Sequence, residues 1–303
     1  MSKILAIVLV ILSTLFWGGN FNAGKYIVEY WPPFVAASLR FTLASIVILL
    51  ILVWTEKNIV ETIKRNWKAF IALGLIGVAG FNGLFFLGLK YTTAVNGALI
   101  MATNPLVTML MAALLLGQAI SARQWLGLAF SFFGVLLVIT HGSVDTLIHL
   151  KIASGDWIIF AANLCWALYS VLNRRYIKNS TPMITTAITM CVGTLVLLLF
   201  SAPSFTEANV FNHSWQVNVL LFYMAIFGSV FAYLFWNHGI ERLGASETSV
   251  FFNLVPVFTV AISLLLGQSI ALLQLVGGLL VITGVLISSN VIKVPGLRAK
   301  PGS

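Results

Sequence analysis

Read for apolar and polar positions, the chain is a succession of apolar runs separated by short polar breaks. The runs fall at approximately 4–24, 33–54, 69–89, 94–116, 123–140, 156–174, 183–202, 217–238, 246–267 and 271–292. Each is close to the roughly 20 residues that a helix needs to cross a bilayer. None shows the apolar/polar alternation of a barrel strand, and only helices or closed barrels satisfy their backbones in hydrocarbon. The pattern therefore predicts an all-α polytopic membrane protein with ten transmembrane helices. The longest polar stretches are 55–68, 141–155 and 203–216, with a tail from Lys293, so no soluble domain is attached. The first of these mixes Ile59, Ile63 and Trp67 with Lys57, Lys64, Arg65 and Lys68, which predicts a short helix lying on the inner leaflet.

The runs are not independent of one another. Leu114-Leu115-Leu116-Gly117-Gln118 returns 150 positions later as Leu264-Leu265-Leu266-Gly267-Gln268. At the same offset Gln124 meets Gln274, Gly127 meets Gly277 and Gly134 meets Gly284. With small gaps the match extends both ways: Trp17 to Trp166 and Pro33 to Pro182 at offset 149, and Gly77 to Gly228, Ala94 to Ala245 and Pro105 to Pro256 at offset 151. Such self-similarity divides the chain into 1–142 and 143–303, five spans in each. Five is odd, so the second copy enters the membrane upside down. Two inverted five-helix repeats can exchange conformations around a site near the midplane, which points to a transporter working by alternating access.

Composition and charge fit this picture. The chain is 60% hydrophobic and only 8% charged, with a mean hydropathy of +1.02, whereas a soluble domain carries about a quarter charged residues. The net charge of +9 could suggest nucleic acid as a partner, but the location of the charge argues otherwise. With the N-terminus inside, thirteen basic residues face the cytoplasm and three (Lys25, Lys90, Lys151) face out, while Arg40 lies within a span. This positive-inside bias places both termini in the cytoplasm and independently requires the inversion. The first span has a basic residue, Lys3, and an apolar core, but no small-residue cleavage site. It reads as a spanning helix and not as a removable signal. Cys165 and Cys191 fall within apolar spans and read as small buried side chains.

Candidate chemistry is sparse. Gly19 to Lys25 fits GxxxxGK, but Tyr26 stands where a magnesium-binding Ser or Thr belongs and no strand precedes it, so it is set aside. All eight acidic residues lie in loops or at span ends. Only Arg40 and His238 are ionisable within spans. His238 reads as interfacial; Arg40 could take a substrate carboxylate or pair with backbone carbonyls. Pro105 and Pro256 fall mid-span, kink their helices and free the carbonyls of Met101 and Phe252, beside Asn104 and Asn253. This makes them gating or hinge candidates on two cavity-lining helices, with a simple packing bend as the alternative. Gly74, Gly77, Gly80 and Gly83 form a stripe for close packing or flexing, with Gly80 a hinge candidate. The remaining candidates are aromatic and amide residues on equivalent spans: Trp17 and Asn20, Asn82 and Phe85, Asn163 and Trp166, and Tyr233, Trp236 and Asn237. Tryptophan, phenylalanine and a few amides would suit a small amphipathic solute. No metal cluster, nucleophile–base triad or CxxC pair is apparent, so neither a catalytic role nor a cofactor is expected.

These residues resemble the EamA family of the drug/metabolite transporter superfamily. The likeness covers Trp17-Gly18 with Asn20-Phe21 and Lys25, Pro33 through Arg40, Ala94 through Pro105, the glycine before Gln118, Trp166, Ala245 through Pro256, Gly267 and Gly277 through Gly284. The resemblance implies an exporter of amino acids and other small metabolites in the bacterial inner membrane, with a central cavity between the halves. The family often has Glu where this chain has Gln118 and Gln268. The expected partners are a small-molecule substrate and the lipid bilayer, with monomer and homodimer both open. Competing readings are import of a metabolite or nucleotide-like solute, and an intramembrane enzyme or lipid-handling protein. The first would call for more intramembrane cations, the second for a catalytic constellation.

Overall fold

The apolar runs fold as helices, and there is no strand among the described residues. The structure is a computed structural model in which residues 2–92, 94–149, 153–205, 214–265 and 271–289 are described. In chain order the long helices are α1 (Lys3–Tyr30), α2 (Pro33–Thr55), α3 (Ile59–Tyr91), α4 (Ala94–Ala102 and Asn104–Leu116), α5 (Ala122–Thr140) and α6 (Ser154–Tyr176), with a short helical turn at Val144–Ile148 between the last two. There follow α7 (Pro182–Ser201), α8 (Trp215–Leu243), α9 (Ala245–Val250 and Leu254–Leu265) and α10 (Leu272–Ser288). Among the described residues nine helical runs are long and apolar enough to cross a bilayer, and α10 is a shorter apolar helix of 17 residues. The fold is that of a multi-pass membrane protein.

Helix ends follow from local chemistry. Pro33 and Pro182 open α2 and α7, in the first turn where a missing N–H breaks no hydrogen bond. The repeated glutamines are caps. Gln124 Oε1 accepts from the Ser121 backbone N–H at 2.9 Å, and Gln274 Oε1 accepts from the Ala271 N–H at 3.0 Å. Gly117 closes α4 at φ +66°, a left-handed turn that glycine adopts without penalty. Its neighbour Gln118 accepts from the Ser246 hydroxyl at 3.1 Å. Gly267 and Gln268 lie outside the described residues.

Two expectations change. The stretch 55–68 is not a separate interfacial helix: from Ile59 it is the foot of α3, which continues to Tyr91. The Asn66 amide fixes that foot, donating to the Lys178 carbonyl at 3.0 Å and accepting from the Lys178 N–H at 3.0 Å. The proline kinks are sharper than bends. α4 breaks at Thr103, just before Pro105, and α9 passes through a 3₁₀ turn at Phe251–Asn253, just before Pro256. The GxxxxGK segment lies wholly within α1, and Lys25 Nζ donates to the Leu89 carbonyl at 2.9 Å.

One regularity was not anticipated. α3 and α8 each contain a π-helical stretch, Gly74–Gly80 and Ile226–Phe231, at repeat-equivalent positions. Such wide turns free backbone carbonyls and recur at functional sites.

The packing exchanges partners under the repeat. α2 packs on α7, and there Ser45 Oγ lies 2.8 Å from Thr194 Oγ1. These two residues are mates at the offset that joins Pro33 to Pro182. α5 packs on α10 through glycines. A Cβ on Gly127 would lie 2.5 Å from the Gly284 carbonyl, one on Gly134 2.6 Å from the Gly277 carbonyl, and one on Gly277 2.7 Å from the Gly134 carbonyl. Gly127 is the mate of Gly277 and Gly134 the mate of Gly284, so each contact maps onto the other with the halves exchanged. Small residues let the two backbones touch.

Gly134→Val should therefore lower the melting temperature in detergent, overpacking of this kind costing about 1–3 kcal/mol. Gly278→Ala, one residue from Gly277, places its Cβ at 3.6 Å from Val257 and should be neutral or slightly stabilising. Equal melting of the two variants would refute the close-packed seam.

Candidate functional site

The core of the bundle is aromatic. Trp17 on α1 sits 5.2 Å from Trp166 on α6, 5.1 Å from Trp236 and 6.2 Å from Tyr233 on α8, and 5.6 Å from Phe252 on α9, centroid to centroid. Trp166 also stacks on Tyr169 at 5.3 Å and meets Phe81 at 5.0 Å. Edge and tilted contacts of this kind are worth about 0.5–1.5 kcal/mol each beyond burial, so the cluster fixes five helices against one another.

Beside this cluster lies a small cavity with room for about 30 Å³ of solvent. Its walls include Trp17, Asn20, Asn82, Phe85 and Met101, and across from them Trp166, Tyr233 and Phe252. All eight were expected at a site. Phe81 and Arg40 complete the lining. Phe81 was missed because it is one step along α3 from Asn82, and only the packing shows that both reach the space.

The polar groups here answer the π-turns. Trp17 Nε1 donates to the Gly228 carbonyl at 2.9 Å. Arg40 Nη2 donates to the same carbonyl at 2.9 Å, while its Nε donates to Ser229 Oγ at 2.8 Å and to the Met224 carbonyl at 3.2 Å. Its Nη1 is 3.5 Å from Asn82 Oδ1. In the other half the Asn82 amide donates to the Tyr233 hydroxyl at 2.8 Å, which donates to the Gly77 carbonyl at 3.3 Å. Arg40 is 3% exposed, and every acceptor it holds is neutral. Trp166 Nε1 and Asn20 Oδ1 are buried with no hydrogen-bond partner.

Other expected site residues lie elsewhere. Asn163 sits against the break in α4: its amide donates to the Ile100 carbonyl at 3.1 Å and to Thr103 Oγ1 at 2.9 Å, and its Oδ1 accepts from Asn104 at 2.6 Å. Asn253 donates to Ser131 Oγ at 2.9 Å. Trp236 packs behind Trp17 and donates to Ser170 Oγ at 3.3 Å. Asn237 bonds Tyr169, Asn173 and Thr186, and lines a second cavity with Arg174, Thr185 and Glu241. Pro105 and Pro256 begin the second segments of the two broken helices, and Gly80 ends the π-turn of α3.

Both halves of the chain match one family, the EamA-like transporters, over residues 4–140 and 153–290. The chain belongs to the EamA-like transporter family. It is 47% identical over 290 residues to a Bacillus subtilis protein named "Uncharacterized transporter YyaM", covering 96% of this chain and 95% of that one. It is 29% identical to an uncharacterized transporter of Archaeoglobus fulgidus, covering 93% of this chain and 96% of the other. A solved crystal structure shares the fold with a TM-score of 0.76 at 17% identity, over 96% of this chain and 98% of that one. Placed on the two EamA segments, the cavity draws its walls from both: Trp17 through Met101 come from the first, and Trp166, Tyr233 and Phe252 from the second.

Asn163 holds the broken α4 and is not among the lining residues, so its removal should act on stability. Asn163→Ala is expected to cost about 1–3 kcal/mol, because the Asn104 amide and the Ile100 carbonyl lose a buried partner. The check is the melting temperature of the purified protein in detergent, and an unchanged value would show that these groups find other partners.

Proposed function

We propose that this EamA-family chain is a secondary transporter that exports small amphipathic metabolites, amino acids foremost, by alternating access around the central cavity. The observation that carries the reading is the cavity itself, buried at the junction of the two EamA segments and walled by both. In this reading ten helices span the bacterial inner membrane as two inverted repeats, with both termini in the cytoplasm. The reciprocal contacts of Gly127 with Gly284 and Gly134 with Gly277 support inversion, since antiparallel mates exchange places only about an axis in the membrane plane. The excess of Lys and Arg at the end carrying Lys3 supports the orientation. The direction, export, rests on the family resemblance.

The two ends of the bundle support alternating access. At one end the Asp156 carboxylate on α6 accepts from Thr92 Oγ1, and from Asn96 on α4 at 2.9 Å. At the other, Lys3 on α1 pairs with Glu247 on α9 at 3.3 Å. Glu247 is the repeat mate of Asn96 at offset 151, and α1 is the mate of α6. The helices are thus tied in equivalent pairs at both ends, as an occluded intermediate requires. A cavity walled by rings and a few amides selects a solute with an apolar body and a small polar head.

Uptake of a panel of amino acids into proteoliposomes, with and without a pH gradient, tests the reading. Movement of at least one amino acid is expected; lipid scrambling with no solute movement would overturn it. In the same assay Trp17→Ala and Trp166→Ala should each slow transport on the order of tenfold, given ring contacts worth about 0.5–1.5 kcal/mol apiece. Unchanged rates in both would remove the two rings from the substrate path.

A further inference from the structure

We propose that Arg40 is the anion anchor of the central cavity, so that the transported solute must carry a free carboxylate on its apolar body. The inference rests on the transport reading above and narrows it to one class of substrate.

The argument begins with charge. Arg40 is 97% buried, given its 3% exposure, and lines the cavity. Its partners are two carbonyls, a hydroxyl and an amide oxygen. None carries a negative charge, and among the described residues no carboxylate lines the cavity. Neutral acceptors leave the guanidinium's net charge uncompensated, which a low-dielectric site penalises strongly. A guanidinium has five N–H groups. One lies on Nε; Nη1 and Nη2 each carry two and among the described residues make one bond each, which leaves a second N–H on either nitrogen for a ligand to engage. Two such donors on one planar fork match the two oxygens of a carboxylate.

The repeat shows that the fold does not demand this cation. The mate of Arg40 at offset 149 is Thr189, whose hydroxyl bonds the Thr185 carbonyl of its own helix. The mate of the Gly228 carbonyl is that of Gly77, and there a neutral phenol, Tyr233, supplies the donor. A neutral donor is therefore enough to satisfy this π-turn carbonyl. Trp17 Nε1 already provides one at Gly228. What arginine adds is charge, placed on one side of the cavity only. Trp166, which also lines the cavity, carries a fully buried Nε1 without a hydrogen-bond partner, a second donor that a polar solute group could engage.

The test compares matched pairs that differ only in the head group: phenylalanine with phenylalaninamide, leucine with leucinamide, and 3-phenylpropionate with its amide. Each is measured with the full chain, by ligand-induced stabilisation in detergent and by movement across proteoliposomes. At least one carboxylate of the set should stabilise and move, with its amide about tenfold weaker or more. Arg40→Gln should abolish that preference, and Arg40→Lys should weaken carboxylate binding about tenfold because the planar fork is lost. Trp166→Phe should weaken it less. The wild-type comparison needs no variant, so misfolding of Arg40→Gln leaves the test intact. Equal handling of acids and amides, or a carboxylate preference that survives in a folded Arg40→Gln protein, overturns the anchor while transport stands. Selective movement of the amides does the same. If no compound binds or moves, the anchor and the amino-acid reading fall together.

Discussion

Inside a bilayer no water is at hand to satisfy a backbone group that leaves its helical ladder, and each such group costs several kcal/mol if unanswered. Among the described residues, the interiors of the spans depart from regular helix at two π-turns and two proline breaks. At three of these places side chains from other helices answer the freed backbone. The Gly228 carbonyl on α8 is met by Trp17 from α1 and Arg40 from α2, the Gly77 carbonyl on α3 by Tyr233 from α8, and the Ile100 carbonyl on α4 by Asn163 from α6. Satisfying the irregular backbone and building the cavity are therefore one structural act. The side chains that silence the freed carbonyls include the ones that wall the space.

The same constraint explains what could be read from the sequence. Apolar runs and the Pro105/Pro256 pair translate directly into helices and breaks, because length and a missing N–H act locally. The repeated glutamines became legible as caps once Gln124 and Gln274 were seen to receive the N–H three residues back. Asn82 and Asn163 looked alike in the sequence, as amides at membrane depth. They differ only in what lies opposite: a phenol on a cavity wall for Asn82, a broken helix for Asn163. That is tertiary information. The π-turns left no periodic trace, although the glycines at Gly77 and Gly228 had already been paired by the repeat. For Arg40 the alternatives in the sequence, carbonyl pairing or a ligand contact, were not exclusive. The residue pairs with carbonyls and faces the cavity as well.

Symmetry and its violation divide the labour between fold and chemistry. Where mates are alike, as in the glycine seam of α5 and α10 or the Ser45–Thr194 contact of α2 and α7, the residues hold the halves together. Where mates differ, as with Arg40 and Thr189 or Phe85 and Trp236, one half reaches the cavity with something the other lacks. A transported solute has no two-fold symmetry of its own, so the residues that recognise it are to be sought among the mismatched pairs.

The packing distinguishes two kinds of helix contact that bear on the proposed cycle. α5 and α10 touch backbone to backbone along their glycines, and close-packed interfaces of this kind are bistable or rigid and do not deform continuously. The helices tied at the two ends are of another kind. Asn96 lies on the first segment of α4 and Glu247 on the first segment of α9, and each segment ends at a break, at Thr103 and at Phe251–Asn253. Releasing Asn96 from Asp156 would let the one segment swing about its break, and releasing Glu247 from Lys3 would let its mate do so at the opposite end. Met101 and Phe252 stand at those breaks and line the cavity. In the proposed cycle a solute pressing on either residue would act at the pivot of one gate, and this would couple occupancy of the cavity to the choice of which end opens.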